Sequence, residues 1–309
     1  MAASFRSGFV SIIGRPNVGK STLLNRLVGE ELAAVSRKPQ TTRGVIHGIL
    51  STPKGQAVFL DTPGFHNPRD PLGRWMLGEI QKSLQDADLI YWMIFPEPPE
   101  EKEESPLAFF LSPQGRERGG VRGVPPLPPI FLLINQIDRV PKTQILPVID
   151  SYQKVFPFRE IIPLSALEGD NIPLLIRKTF ETLPEHPAYF PEDELTDQNE
   201  RTIAAEMIRE KIFRFTGEEI PYSSAVEIEE FKERSERLVA IKAAVIVEKD
   251  SQKAILIGKG GSKIKEIGQE ARKAIESFLG KKVFLELWVK VLKNWKKDPE
   301  SLKRLGFGG

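Results

Sequence analysis

Short apolar runs recur along the first two thirds of the chain, separated by polar stretches that contain glycine or proline. Runs of this length are typical of strands buried on both faces, as in a parallel sheet. Apolar residues at helical spacing over 72–84 predict a helix between two of the strands. The pattern therefore predicts a doubly wound α/β sheet. The predicted strands lie in residues 9–13, 45–50, 56–60, 89–95, 130–134 and 161–164.

The last third of the chain has a different pattern. A helix is predicted from Glu200, and the alternation of Val239, Ile241, Ala243 and Val245 predicts a strand. Two apolar helices follow around a glycine turn at residues 254–267, so a second, smaller α+β domain is predicted. We place the first domain at residues 1–186, an extended, proline-containing linker at 187–200 and the second domain at 201–309. The strands predicted in the second domain span 224–231, 238–247 and 283–289.

Composition excludes several classes of protein. The chain has 309 residues, of which 40% are hydrophobic and 28% are charged, as in ordinary globular proteins. No apolar run is long enough to span a bilayer and no signal peptide is recognised, so we expect a cytoplasmic protein without a transmembrane segment. Because cysteine is absent, disulfides, thiolate zinc sites and cysteine nucleophiles are excluded. The three histidines have no metal-ligand spacing.

The formal charge of +2 is distributed unevenly. Residues 258–309 contain thirteen Lys and Arg against six Asp and Glu, a net +7, which leaves −5 for the rest of the chain. A basic region of this kind either binds a polyanion or is simply a solvated surface.

The sequence GRPNVGKS at residues 14–21, here called the phosphate loop, matches G-x-x-x-x-G-K-[ST] between a predicted strand and a predicted helix. Backbone N–H groups of such a loop surround a phosphate at a helix N-terminus. Gly14 and Gly19 allow the backbone to approach, Lys20 can reach the terminal phosphates, and the Ser21 hydroxyl can bind Mg²⁺.

Two further motifs follow predicted strands. Asp61, in the sequence DTPG at residues 61–64, is placed to act as a partner of Mg²⁺, and Gly64 can offer a backbone N–H to the γ-phosphate. The sequence NQID at residues 135–138, here called the base loop, predicts guanine recognition, because the Asp138 carboxylate can accept from two N–H groups of guanine that adenine lacks. The backbone of Ser165-Ala166-Leu167 can contact the guanine carbonyl.

The order of these motifs resembles that of the P-loop GTPases, and the TTR and DTPGF sequences resemble the Era group. The resemblance implies that Thr42, rather than Thr41, reaches Mg²⁺, and that Asn17 is a candidate K⁺ ligand. Together we expect Lys20, Thr42 and Gly64 to be catalytic. The predicted contacts with GTP or GDP are Gly14, Arg15, Pro16, Asn17, Val18, Gly19, Lys20, Ser21, Thr22, Asp61, Thr62, Pro63, Gly64, Phe65, Asn135, Gln136, Ile137, Asp138, Ser165, Ala166 and Leu167.

This chain departs from the GTPase pattern at three places. Gln136 replaces the usual lysine, so we expect guanine selectivity to survive and affinity to fall. Phe65 stands where some GTPases have a water-orienting glutamine, so hydrolysis should be slow. Residues 96–129 hold nine of the 25 prolines where the family has a regular helix, and we predict a mobile loop with at most a short helix near 107–111.

The sequence GKGG at residues 258–261 follows one apolar helix and precedes another. A G-x-x-G of this kind is often an ordinary helix–helix turn, but the order of elements resembles a type II KH domain, in which the turn approaches an RNA backbone. Ile255, Ile257 and Ile264 are expected to line an apolar groove for bases. The predicted RNA contacts are Ile257, Gly258, Lys259, Gly260, Gly261 and Lys263.

A GTPase domain followed by this KH type resembles the Era family over nearly the whole chain. The resemblance implies a GTP switch that binds the 3′ end of small-subunit ribosomal RNA and assists assembly of that subunit, as a monomer that associates at most weakly with the inner membrane surface. Two alternatives stay open on the residues alone. One is an ATPase or phosphotransferase, and the other is an RNA-binding protein whose nucleotide domain does not turn over.

Overall fold

The computed structural model describes residues 4–35, 38, 41–65, 68, 70–99, 128–217 and 219–307. The chain divides into two compact units. The predicted short helix near 107–111 lies outside the described residues. The first unit comprises Met1–Leu32, Thr42–His66 and Met76–Asp197, and the second comprises Ala33–Thr41, Asn67–Trp75 and Gln198–Gly309.

The first unit is built on a six-stranded sheet with the order β2-β3-β1-β4-β5-β6. Only the β2–β3 pair is antiparallel, and the other four pairs are parallel. All six predicted strands are present. Their bounds are β1 Arg6–Gly14, β2 Ile46–Thr52, β3 Gly55–Asp61, β4 Leu89–Ile94, β5 Ile130–Ile134 and β6 Glu160–Pro163.

The topology creates a crevice at one edge of this sheet. The chain runs from β1 outward to β3 and then back to β4 on the other side of β1. Because crossovers between parallel strands are right-handed, the helices on these two connections lie on opposite faces, and ligands bind where the strand order reverses. The register pairs Ile12 with Asp61 and Ile134 with Pro163, so the loops after β1, β3, β5 and β6 leave from the same edge.

Four helices accompany this sheet in the described part of the chain: α1 Lys20–Val28, α2 Pro71–Gln85, α3 Ile145–Gln153 and α4 Ile172–Thr182. The first five residues of α2 belong to the second unit. The predicted helix over 72–84 is confirmed as α2. Helices α3 and α4 are additions to the predicted elements. Val148 and Tyr152 of α3 lie in one buried cluster with Ile90 and Trp92 of β4, which fixes α3 against the sheet.

Much of the segment predicted as an extended linker is bonded to the first unit. The side-chain oxygen of the fully buried Gln56 accepts from the backbone N–H groups of Tyr189 and Phe190, at 2.8 and 3.0 Å. The Gln56 amide group donates back to the Phe190 carbonyl oxygen at 2.8 Å. The Ile49 N–H donates to the carbonyl oxygen of Leu195 at 2.8 Å. The division between the units comes after Asp197, inside the predicted linker.

The second unit contains a three-stranded sheet, β7-β8-β9, in which β7–β8 is antiparallel and β8–β9 is parallel. Its helices bury a separate apolar core against the sheet, which includes Ile208, Leu256 and Ile267. An α/β sheet with a smaller α+β unit is the predicted fold class, which is confirmed. The bounds are α5 Glu200–Phe215, α6 Ile220–Ser223, β7 Ala225–Ser235, β8 Leu238–Val247, α7 Asp250–Ile257, α8 Ser262–Leu279, β9 Lys282–Val291 and α9 Pro299–Arg304.

Some element ends differ from the predicted ones. Strand β7 continues to Ser235 beyond its predicted end at residue 231, because its polar second half pairs with β8 through two register shifts. Helix α5 begins where predicted, since the Asn199 side chain caps it by accepting from the Thr202 N–H at 2.8 Å. Among the described residues no helix combines the length and hydrophobicity needed to cross a membrane.

Candidate functional site

The phosphate loop connects β1 to α1 and lies close to two other segments. A Cβ on Gly14 would come within 2.4 Å of the Met93 carbonyl oxygen, and one on Gly19 within 2.3 Å of Asn135 Nδ2. Gly19 also has φ 102°, which side chains of L-residues rarely allow. Glycine at both positions lets the loop lie against β4 and the base loop, so that its N–H groups at the start of α1 can face a phosphate.

Lys20 is buried inside this loop, with 6% of its surface exposed. Its Nζ donates to the carbonyl oxygens of Gly14 and Arg15, at 3.2 and 3.1 Å. Burial lowers the pKa of Lys20 to about 8, and the nearby Asp61 carboxylate offsets only part of that effect. A buried ammonium held by neutral carbonyl groups is poised to bind a phosphate, which compensates its charge far better.

Three oxygen-bearing side chains from three different elements meet next to Lys20. The Ser21 hydroxyl donates to Asp61 Oδ2 at 2.7 Å and lies 2.9 Å from the Thr42 hydroxyl, which is itself 3.2 Å from Asp61 Oδ2. Two hydroxyls and one carboxylate suit Mg²⁺, which prefers oxygen ligands and retains several waters. The Thr41 hydroxyl instead donates to the carbonyl oxygen of Lys38 at 2.9 Å. The described residues include no cluster of three or more His, Asp or Glu that could hold a metal.

The DTPG turn lies directly against the phosphate loop. A Cβ on Gly64 would come within 2.8 Å of Pro16 Cα, and the Phe65 N–H donates to the Gly14 carbonyl oxygen at 3.1 Å. The buried Thr62 hydroxyl donates to the Ile12 carbonyl oxygen at 2.7 Å and so holds the turn to β1. The Phe65 ring packs against the apolar cluster under the sheet. It offers no polar atom to a water molecule.

The base loop is tied to the phosphate loop and to residues 165–167. The buried Asn135 amide donates to the Val18 carbonyl oxygen at 2.7 Å, and its oxygen accepts from the Ala166 N–H at 2.9 Å. The Ser165 hydroxyl donates to Asp138 Oδ1 at 2.6 Å. The base loop, the phosphate loop and residues 165–167 are thus held together at this edge of the sheet.

Gln136 contacts the phosphate loop although it replaces the usual lysine. Its side-chain amide donates to the Asn17 carbonyl oxygen at 3.0 Å, so it still ties the base loop to the phosphate loop. Both residues have positive φ, 64° for Gln136 and 62° for Asn17. The positive charge of the lysine is absent at this position.

Arg26 belongs to the site although it is outside the predicted set. From α1 its Nε donates to the Ala166 carbonyl oxygen at 3.2 Å, and its Nη2 donates to that of Leu167. The arginine therefore fixes the backbone that is predicted to contact the guanine carbonyl. The sequence contains no motif that predicts this contact, because Arg26 and Ala166 are 140 residues apart.

In the second unit the GKGG turn joins α7 to α8. Gly258, Gly260 and Gly261 have φ of 71°, 60° and 80°, and Lys259 and Gly260 are exposed. A Cβ on Gly260 would meet no atom within 4 Å, which leaves open space for an approaching backbone. Lys263, predicted to contact RNA, donates to the carbonyl oxygen of Phe215 at 3.1 Å, so its ammonium is held at the C-terminus of α5.

A groove of about 320 Å³ lies between α8 and β9. Of the three isoleucines predicted to line an apolar groove, only Ile264 does so here; Ile257 packs on the core, and Ile255 is 51% exposed. Gly268 widens the groove at this point, since a Cβ there would be in van der Waals contact with Leu287 Cδ1 at 3.4 Å. The other groove residues are Lys265, Gln269, Arg272, Leu285 and Leu287.

Two protein-family models match the chain. The model described as a 50S ribosome-binding GTPase matches residues 9–116, and the KH domain model matches residues 219–296. Among similar proteins, the GTPase Era of Geobacter sp. (strain M21) is 48% identical over 303 residues, covering 98% of each chain. The GTPase Era of Syntrophus aciditrophicus (strain SB) is 46% identical over 304 residues, covering 98% of this chain and 95% of that protein.

Two solved structures are similar over both units. Era in complex with MgGDPNP and nucleotides 1506–1542 of 16S ribosomal RNA has a TM-score of 0.90 and 40% identity, covering 99% of this chain and 100% of that one. A variant of Aquifex aeolicus Era bound to GDP·AlF4⁻ has the same TM-score and 39% identity, with the same coverage. The chain is therefore a GTPase of the Era family, with a KH domain after its GTPase domain.

Proposed function

We propose that this GTPase binds GTP and GDP with Mg²⁺ at the carboxyl edge of the six-stranded sheet and that its nucleotide state controls binding of the 3′ end of small-subunit ribosomal RNA to the KH domain. Through this switch it assists assembly of the small subunit. The observation that carries the proposal is the meeting of Ser21, Thr42 and Asp61 beside the buried Lys20. The related Era crystallised with MgGDPNP and 16S ribosomal RNA supports both halves.

Each residue of this edge has a defined task in the proposed reaction. Ser21, Thr42 and Asp61 hold Mg²⁺, which supplies positive charge beside the terminal phosphates. Lys20 exchanges its two carbonyl partners for phosphate oxygens, and the Gly64 N–H donates to the γ-phosphate. When the γ-phosphate leaves, the loops that carry Thr42 and Gly64 lose a shared ligand and can relax, which is how GTPases of this class switch.

Hydrolysis is expected to be slow without a partner, because the Phe65 side chain cannot orient a water molecule. The test is single-turnover GTP hydrolysis by the full chain, with and without an RNA of nucleotides 1506–1542 of 16S ribosomal RNA. We expect slow but measurable turnover, at a rate that RNA changes. We also expect the affinity for RNA to be higher in one nucleotide state than in the other. Absence of turnover under both conditions would instead support an RNA-binding protein with an inactive nucleotide domain, and equal RNA affinity in GTP and GDP would remove the switch.

A bound K⁺ is the proposed aid to hydrolysis, with the Asn17 side chain as one ligand. We expect turnover on the order of tenfold faster in KCl than in NaCl at equal ionic strength, because a site that binds K⁺ in preference to Na⁺ adds a positive charge that stabilises the transition state only in KCl. The Asn17→Gly variant suits the positive φ of this position and should show equal rates in the two salts. Equal rates in the unsubstituted protein contradict the K⁺ site.

The lowered pKa of Lys20 predicts that nucleotide binding takes up a proton. In the free protein the ammonium loses its proton above about pH 8, whereas bound phosphates favour the charged form and raise the pKa. As far as Lys20 is concerned, the affinity for GDP should therefore not depend on pH below about pH 8. Above about pH 8 it should fall by up to about tenfold per pH unit. Calorimetry at pH 8.5 in buffers of different ionisation enthalpy measures the uptake.

The matched control for this measurement is Lys20→Arg, since a guanidinium stays charged at every pH used. The variant should retain phosphate binding and lose the proton uptake from position 20. The same uptake in both proteins would assign it to another group, such as the guanine N1.

Three sequence predictions stand beside this proposal as predictions. They are the cytoplasmic location, the monomeric state and a weak peripheral association with the inner membrane surface. The support for the membrane association is the excess of basic residues in 258–309.

A further inference from the structure

The side chain of Gln136 has two ends, and the structure gives each a partner. Its amide nitrogen donates to the Asn17 carbonyl oxygen at 3.0 Å, and its amide oxygen accepts from Arg139 Nη1 at 2.9 Å. A lysine ammonium has donors only, so it would need no second partner to face the carbonyl correctly. A glutamine amide can flip, and then its oxygen would oppose the Asn17 carbonyl oxygen. The bond from Arg139 decides which end faces the phosphate loop.

Arg139 also faces the residue that reads the base. Its Nε lies 3.9 Å from Asp138 Oδ2, while Asp138 Oδ1 accepts from the Ser165 hydroxyl at 2.6 Å. Each carboxylate oxygen of Asp138 therefore has a neighbouring donor group of its own. Contacts thus run from the phosphate loop through Gln136 and Arg139 to Asp138, and Arg139 supplies the positive charge that position 136 lacks.

We propose that Arg139 is a positioning residue for guanine nucleotides in this chain and that it takes over the task of the missing lysine together with Gln136. It orients the Gln136 amide toward Asn17 and keeps Asp138 aligned to accept from guanine. This inference rests on the proposed binding of guanine at Asp138. Arg139 touches neither the phosphates nor the base in this arrangement, so its effect is on how firmly the nucleotide is held.

The size of the effect follows from exposure. The Arg139 side chain is 64% exposed, so its loose pair with Asp138 is weak, and the hydrogen bond to Gln136 makes the larger contribution. Release of GDP should become about fivefold faster in Arg139→Ala. In the Gln136→Lys background the same substitution should change release less than about twofold, because the lysine contacts the phosphate loop without help.

The test is stopped-flow release of N-methylanthraniloyl-GDP from the full chain in Mg²⁺, for the four proteins of this double-mutant cycle. Arg159→Ala is the matched control, since it removes an exposed arginine of the same domain away from the base loop. A large effect of Arg139→Ala in the Gln136 protein alone supports the inference. Equal effects in both backgrounds, or no effect in either, overturn it.

A separate measurement distinguishes failure of this inference from failure of the proposed site. If Asp138→Asn leaves the preference for guanine over xanthine nucleotides unchanged, the assignment of the base site is wrong and the inference falls with it. If that preference changes while Arg139→Ala releases GDP at the rate of the unsubstituted protein, the site stands and only the positioning task of Arg139 is lost.

Discussion

Asp138→Asn is expected to weaken GDP binding on the order of a thousandfold and to create a preference for xanthosine diphosphate. The carboxylate accepts from two N–H groups of guanine, and each such bond to a charged group contributes about 1.5–3 kcal/mol. An asparagine presents an amide donor where one of these acceptors was. Xanthine carries a carbonyl oxygen in place of the exocyclic amine, so it pairs with the amide instead.

Competition of unlabelled GDP, XDP and ADP against a fluorescent GDP measures the change. Asp150→Asn, at an exposed position on α3, is the control for loss of one negative charge and should keep the preference for GDP. The Ser165 hydroxyl, which donates to Asp138 at 2.6 Å, can keep the new side chain in place through its amide oxygen. Tight binding of ADP by the unsubstituted protein would contradict guanine recognition and would favour the alternative that the protein is an ATPase.

The sequence was sufficient to predict which motif residues meet, because of a property of parallel sheets. Gly14, Asp61 and Ile134 end strands that run in the same direction, so the loops that follow them share one edge wherever the strands are ordered. The type of each residue then suggests its task. For this reason the sequence alone predicts that Lys20, Ser21 and Asp138 lie at this edge of the sheet.

Contacts that depend on the exact packing of distant segments could not be predicted in this way. Arg26 reaches the carbonyl of Ala166 only because α1 and the loop after β6 come together in three dimensions. Gln56 is the polar first residue of a predicted strand, and nothing in the sequence distinguishes it from other polar residues. In the structure it is fully buried and accepts from the backbone N–H groups of Tyr189 and Phe190. No periodicity or motif spacing in the sequence predicts either contact.

The same limit applied to the second unit. The glycine turn was recognisable because three positive φ angles require glycine or a close substitute. The sequence predicts that Ile255, Ile257 and Ile264 line an apolar groove, but only Ile264 lines the groove, and its opposite wall is Leu285 and Leu287 of β9. Because β9 pairs in parallel with β8, its place beside α8 is a property of the folded domain and not of the local pattern.

The pair of substitutions Lys259→Asp and Gly260→Asp is expected to weaken RNA binding by on the order of a hundredfold while GTP turnover without RNA stays unchanged. Two carboxylates then stand in the turn where a phosphodiester would approach, and one lysine is lost. The fold should tolerate both, since Lys259 is exposed and a Cβ on Gly260 meets no atom within 4 Å. Aspartate also accepts the φ of 60° at that position better than most residues.

Fluorescence anisotropy with a labelled RNA of nucleotides 1506–1542 measures the affinity at several salt concentrations. The matched control is the pair Lys232→Asp and Gly280→Asp, which replaces one exposed lysine and one glycine of φ 62° without close neighbours, away from the turn. Both pairs change the net charge equally, so a purely electrostatic attraction to the basic domain would weaken in both. If the affinity for RNA falls only in the variant of the turn, the RNA backbone binds at residues 258–261. If it falls equally in both pairs, the turn is not the binding site.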